Sequence, residues 1–151
     1  MKQQRHVLVS FLLGMLVIVL AACGGSSTSS SQTTSSSSAQ NVQVTLSEFQ
    51  ITSALRHFSP GSSYHFVVTN KGKTNHEFMI TPADMMPGMS MDQMHKMALA
   101  MIDTVAPGET KTVDVIFPQS DAGKSLELAC HLPGHYEAGM KLGVKVSSEP
   151  R

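Results

Sequence analysis

Beyond residue 40, apolar and polar side chains alternate in short runs separated by turn residues. Val42-Gln43-Val44-Thr45-Leu46 is apolar at every second position, the pattern of a half-buried strand. Tyr64-His65-Phe66-Val67-Val68-Thr69 predicts a second strand, entered through the turn signal Ser59-Pro60-Gly61-Ser62. Asn70-Lys71-Gly72-Lys73 reads as another turn, and Glu77 to Thr81 as a third strand. Pro107-Gly108 precedes Lys111 to Phe117, which places Val113, Val115 and Phe117 on one face. After the turn Asp121-Ala122-Gly123-Lys124, Leu126 and Leu128 lead into Cys130, and Lys141 to Val146 closes the pattern with Leu142, Val144 and Val146 on one side. Short strands at this spacing predict an all-β, antiparallel sandwich. One helix interrupts them. Ser90 and Gln93 fit a capping box, and Met94, Met97 and Met101 then recur at helical spacing, which predicts a helix over about 91–102.

The first 40 residues have a different composition. Lys2 and Arg5 precede an apolar run from Val7 to Leu20 that is short for a membrane span and reads as an export signal over residues 1–22. It ends at Leu20-Ala21-Ala22-Cys23, which resembles the bacterial lipobox, in which the Cys is lipidated and becomes the first residue of the mature chain. Cleavage as an ordinary signal peptide near the same alanines is the alternative; Gly24 and the Ser-rich stretch that follow favour lipidation. Residues 23–40 have too little apolar surface to offset the entropy of ordering them and read as a tether. Its reach is about 20–25 Å. Residues 41–151 are the folded domain, long enough for one core.

Formal net charge is zero over 151 residues, and no basic cluster or phosphate-cradling Gly loop is present, so nothing points to nucleic acid or nucleotides. Loss of residues 1–22 removes Lys2 and Arg5 and no acid, leaving nine basic and 11 acidic side chains, a mature charge of about −2. The two cysteines are more informative. If Cys23 carries lipid, Cys130 has no intrachain partner in an oxidising compartment. It is then inert and buried, bridges two chains, or binds metal.

Its neighbours favour metal. Cys130-His131-Leu132-Pro133-Gly134-His135-Tyr136-Glu137-Ala138-Gly139-Met140 sets a thiolate, an imidazole and a thioether at Cys-x4-His-x4-Met spacing. Such soft ligands select copper over magnesium or calcium. A strand ends at Cys130 and another begins near Met140, so the loop can fold back on one point, with Pro133 stiffening it and Gly134 and Gly139 permitting tight bends. A blue-copper site also needs a second His from elsewhere. His57, His65 and His76 are the early candidates: His57 lies in a connection, His65 in a strand as a structural or solvent-facing residue, and His76 at a strand start after a turn. Singly, an unpaired Cys, a His or a Met near a strand start is usually core or surface. Their joint order and spacing favour copper.

This loop resembles that of the cupredoxins, rusticyanin and related small blue proteins among them, and the likeness extends through Asn75-His76-Glu77-Phe78, the long insertion and the paired strands. It implies a Greek-key β-sandwich of about eight strands with one short helix in a Met-rich insertion. It also implies one type 1 copper ion, held by His76, Cys130, His135 and axial Met140. His135 would be the electron port. Glu77 departs from the family, many members of which carry Asn or Ser there. A carboxylate beside the sulfur would lower the potential unless it points away, or would compete as a ligand. His131 resembles the relay His of multicopper oxidases, but His-x-His pairs are missing, and the binuclear copper centre of terminal oxidases needs two Cys in one loop. His131 therefore reads as outward-facing, with no catalytic role.

Seven methionines fall between residues 85 and 101. Met94, Met97 and Met101 read as a packing stripe. Met85, Met86, Met89 and Met91 lie in an irregular run and suit a second, weaker Cu(I) site or an apolar docking rim. The resulting expectation is a non-enzymatic one-electron carrier. It would be anchored to the outer face of the cell membrane, in the periplasm or outside the cell, and serve redox partners. The alternative is a copper storage, delivery or tolerance protein that works with other copper-handling proteins.

Overall fold

The computed structural model describes residues 38–83, 85 and 88–147. The export signal, Cys23, nearly all of the tether, and Asp84, Met86 and Pro87 lie outside the described residues.

Alternation produces the strands. In β1 (Gln40–Ser47), Val42, Val44 and Leu46 are buried while Asn41 and Gln43 face solvent. β4 (Ser63–Asn70) repeats the pattern with Tyr64, Phe66, Val68 and Asn70 inward. Together with β2 (Gln50–Ser53) and β7 (Thr110–Ile116) they form a four-stranded sheet in the order β2-β1-β4-β7. The second sheet runs β3-β9-β8-β5-β6, from β3 (His57–Phe58), β9 (Lys141–Val146), β8 (Ser125–Ala129), β5 (His76–Pro82) and β6 (Ala100–Val105). Apolar faces of the two sheets enclose one core: Val42, Leu46, Phe66 and Val68 from the first, Phe78, Ile80, Leu128 and Val146 from the second. Each fully buried side chain of this size contributes about 1.5–3 kcal/mol. Two sheets packed face to face form the β-sandwich that the ligand loop implied.

Three expectations are corrected. The sandwich is not purely antiparallel, because β1 pairs with β4 and β3 with β9 in parallel. The helix α1 spans only Met91–Met97; its capping box is present, but Ala98 is extended (φ −67°, ψ 133°) and the chain continues as β6. Met101 is therefore a strand residue opposite Met79. Nor is there a buried packing stripe on α1, since none of its residues is buried and Met97 is 42% exposed. Helical spacing was present in the sequence, but Met101 and the β-branched Ile102 and Val105 pair with β5 instead, a tertiary gain that overrides local periodicity.

β5 positions the site. It runs between β8 and β6, and every residue from His76 to Thr81 is buried. One face, His76-Phe78-Ile80, looks into the sandwich end and core; the other, Glu77-Met79-Thr81, lies beneath the insertion that carries α1. The β5–β6 register shifts between His76 and Phe78, an irregularity of the kind that re-aims a side chain at the rim of a sheet.

Candidate metal centre

β8 ends at Ala129, and the chain then makes consecutive turns before β9. The N–H groups of His135, Ala138, Gly139 and Met140 donate to the carbonyls of Leu132, Gly134, Tyr136 and His135 at 2.9–3.1 Å. Two of these bends need positive φ, supplied by Gly134 (+82°) and Gly139 (+98°). The Cys130 N–H donates to the Met140 carbonyl at 3.1 Å, which closes the loop at its base. Residues 130, 135 and 140 are thus drawn to one end of the sandwich.

His76 arrives there from β5. The ligand-type atoms of His76, Cys130 and His135 all lie within 4.8 Å of one another. His76 Nδ1 is 3.2 Å from His135 Nδ1, and His135 Nδ1 is 3.4 Å from Cys130 Sγ. Metal–imidazole bonds of about 2.0 Å at trigonal angles would place donor atoms about 3.5 Å apart, so these spacings fit one ion. Two imidazole nitrogens and a sulfur facing one another are also a donor set that a soft metal satisfies better than a shared proton does. Met140 is fully buried, as are His76 and Cys130, whereas His135 is half-buried.

Burial pushes the Cys130 thiol up, and the N–H groups of Glu77 and Leu132 pull against it; the Glu77 N–H donates to Sγ at 3.5 Å. Burial likewise lowers His76, and the facing His135 adds to that, so a neutral imidazole is favoured.

Glu77 contributes its backbone to the sulfur and turns its carboxylate away. Oε1 accepts the His131 N–H at 2.6 Å, and the donor cluster comprises His76, Cys130 and His135 without this carboxylate. Burial raises its pKa, with the His131 N–H opposing. His131 is not outward-facing, as its place in the loop suggested. Its ring is half-buried and stacks on Tyr136 (centroids 4.5 Å, planes 17° apart), and burial holds it below the usual imidazole range. His65 pairs with Asp114 at 2.6 Å, and His57 sits in β3; neither belongs to the cluster.

Three residues escaped the sequence reading. Asn70 is fully buried, donates to the carbonyls of Thr74 and Val105 at 2.8 Å each, and accepts the Gly72 N–H at 2.8 Å, so it ties down the segment that delivers His76. A Cβ on Gly72 would lie 3.0 Å from His76 Nε2 and 2.9 Å from Glu48 Oε1, so the backbone passes against the imidazole where no side chain fits. Phe49, 50% exposed and in the left-handed region (φ 56°), meets the His135 ring edge-on at 5.6 Å. The turn signal around Asn70 was legible; its burial was not.

No family model matches the chain. It is 38% identical over 91 residues to the copper-resistant cuproprotein CopI of Vibrio cholerae, covering 58% of this chain and 52% of that protein. It is 34% identical over 82 residues to the protein of the same description from Rubrivivax gelatinosus, covering 53% and 49% respectively. The chain thus spans about half the length of these relatives. Among solved structures, it matches reduced auracyanin from Roseiflexus castenholzii with a TM-score of 0.53 and 16% identity, over 74% of this chain and 98% of that one. Auracyanin B gives 0.54 and 19%, over 72% and 89%. An azurin (Az-iso2) from Methylomonas sp. strain J gives 0.52 and 16%, over 73% and 99%. At these identities the likeness is one of fold.

Proposed function

This chain is a cupredoxin by fold with a copper-type donor set, and from that premise we propose that it is a type 1 copper protein acting as a one-electron carrier outside the cytoplasm. The observation that carries the reading is the convergence of His76, Cys130 and His135: their donor atoms all lie within 4.8 Å of one another, with His135 Nδ1 3.2 Å from His76 Nδ1 and 3.4 Å from Cys130 Sγ. Copper, when bound, supplies the one-electron couple. His76, Cys130 and His135 would hold it, with the buried Met140 available as a thioether donor. The chain's own contribution is rigidity and dryness. His76 and Cys130 project from the ends of paired strands, Asn70 fixes the approach to His76, and the Glu77 N–H steadies the sulfur. Ligands so fixed have little need to rearrange between oxidation states. His135 is the half-buried member of the four, and with the exposed Phe49 beside it forms an apolar rim where a redox partner would dock. No substrate molecule need bind, so the protein is not an enzyme on this reading. Lipid on Cys23 and the tether would hold the domain at the outer face of the cell membrane.

A second reading has its own support. The two curated relatives are described as copper-resistant cuproproteins, which favours a role in copper tolerance with copper-handling partners.

Loading the domain with Cu(II) and recording visible and electron-spin spectra tests the centre. An intense thiolate-to-copper band, abolished by Cys130→Ser, is expected; no such band would sink the assignment. A carrier then gives a fast reversible couple and keeps its copper against chelators. A tolerance protein is identified by copper sensitivity of cells lacking it, with respiration intact.

A further inference from the structure

On the far side of the Cys130–His131 peptide lies a cavity of about 310 Å³, lined by Met85, Met89, Met94, His131, Tyr136 and Glu137. Its lining combines three thioethers, one imidazole and a carboxylate. The three methionines are half-buried, so their sulfurs are neither consumed in the core nor spread over the surface. None of them belongs to the apolar core of the sandwich.

His131 is held firmly there. Tyr136 stacks on its ring, the Tyr136 hydroxyl donates to Glu127 Oε2 at 2.7 Å, and Lys141 Nζ lies 4.2 Å from the centre of the Tyr136 ring. The His131 N–H is tied to Glu77. Yet His131 Nε2 is buried with no hydrogen-bond partner among the described residues. A buried ring nitrogen left unpaired is costly, and one fixed beside clustered thioethers has a natural partner in a soft cation. His95 Nε2, on α1, is buried and unpartnered in the same way, and His95 is near enough to act on the charges of both Glu77 and His131. The segment above the cavity suits a site that fills and empties, because α1 buries none of its residues and adapts without disturbing the sandwich.

We propose that Met85, Met89, Met94 and His131 form a second metal site that takes Cu(I), distinct from the His76–Cys130–His135 centre. Thioether and imidazole donors suit a soft monovalent ion, and Glu137 at the cavity wall favours positive charge. The composition differs from the one that sequence alone suggested. Met86 lies outside the described residues, Met91 does not line the cavity, and Met94, read as part of a packing stripe, does.

The test uses the Cys130→Ser protein, so that the main thiolate takes no part. Ag(I), a redox-inert stand-in for Cu(I), is added while the methyl signals of 13C-labelled methionines are followed by NMR. One equivalent should shift Met85, Met89 and Met94, and His131→Gln should weaken binding by about tenfold or more. In the otherwise native protein, the triple variant Met85→Leu, Met89→Leu, Met94→Leu should bind one Cu(I) fewer under a competing chelator while keeping its folded amide spectrum. Shifts confined to Met140, or an unchanged Cu(I) count in the folded triple variant, would overturn the proposal. The two sites fail separately: methyl shifts without a thiolate-to-copper band would leave this site standing and remove the main centre.

Discussion

Two regions meet at the Cys130–His131 peptide, and they are built in opposite ways. On one side, His76, Cys130 and Met140 are fully buried and held by paired strands and a loop of closed turns. On the other, the Met-lined cavity sits beside a seven-residue helix with no fully buried residue. The contrast teaches how one small domain can treat copper in two ways. A centre that must keep one geometry is made of strand ends, hydrogen-bonded turns and buried side chains. A surface that is to accept an ion is made of long, adaptable side chains on a segment whose own packing is slight.

The comparison breaks if the two sides respond alike to truncation. Phe78→Ala, beneath His76 in the fully packed core, should destabilise the domain by about 3–5 kcal/mol in urea unfolding. Met97→Ala on the exposed side of the insertion should stay within about 0.5 kcal/mol.

A sharper test separates support from packing. Asn70→Ala removes three hydrogen bonds around the segment that delivers His76, and should cost about 2–3 kcal/mol. It should also lower copper affinity at the main centre by about 10–100-fold, read by chelator competition. An equal loss of stability with copper affinity unchanged would show that the Asn70 turn does not position His76.

Across the peptide, Ser90→Ala removes the cap of α1, where Ser90 Oγ accepts the Gln93 N–H at 3.3 Å. It should cost about 1 kcal/mol locally, seen as loss of helical NMR shifts over 91–97, and should leave the thiolate-to-copper band as it was.

The smallest effect concerns acid. In the turn before β7, the Glu109 carboxylate accepts the Ala106 N–H at 2.7 Å and lies 3.4 Å from Lys111 Nζ. The Ala106 N–H, helped by Lys111, lowers its pKa below 4.5. The folded state therefore holds this proton less tightly than the unfolded chain does. Its stabilisation is present above pH 4.5 and is lost as pH falls through the lowered value. Glu109→Gln should flatten that part of the acid-unfolding curve slightly, and an unchanged curve would show that the turn contributes nothing measurable.

Much of this was legible along the chain because it is local. Alternation fixes which side chains of β1, β4, β7 and β9 turn inward, since successive Cβ atoms must point to opposite faces. The spacing of Cys130, His135 and Met140 within one loop, with glycines where positive φ is needed, likewise belongs to the sequence itself. What tertiary structure alone decided is everything that depends on distant partners. Pairing with β5 turned residues 100–102, the end of the predicted helix, into the start of a strand. Strand alternation and the His131 N–H sent the Glu77 carboxylate away from the sulfur, and stacking on Tyr136 drew His131 inward. His76 was one of three early candidate histidines in the folded domain; its meeting with a sulfur 54 positions away needed two strands, β5 and β8, lying side by side. A residue's type and spacing set what it can bind, but its neighbours across the sheet set where it points, and those neighbours are chosen by the whole chain at once.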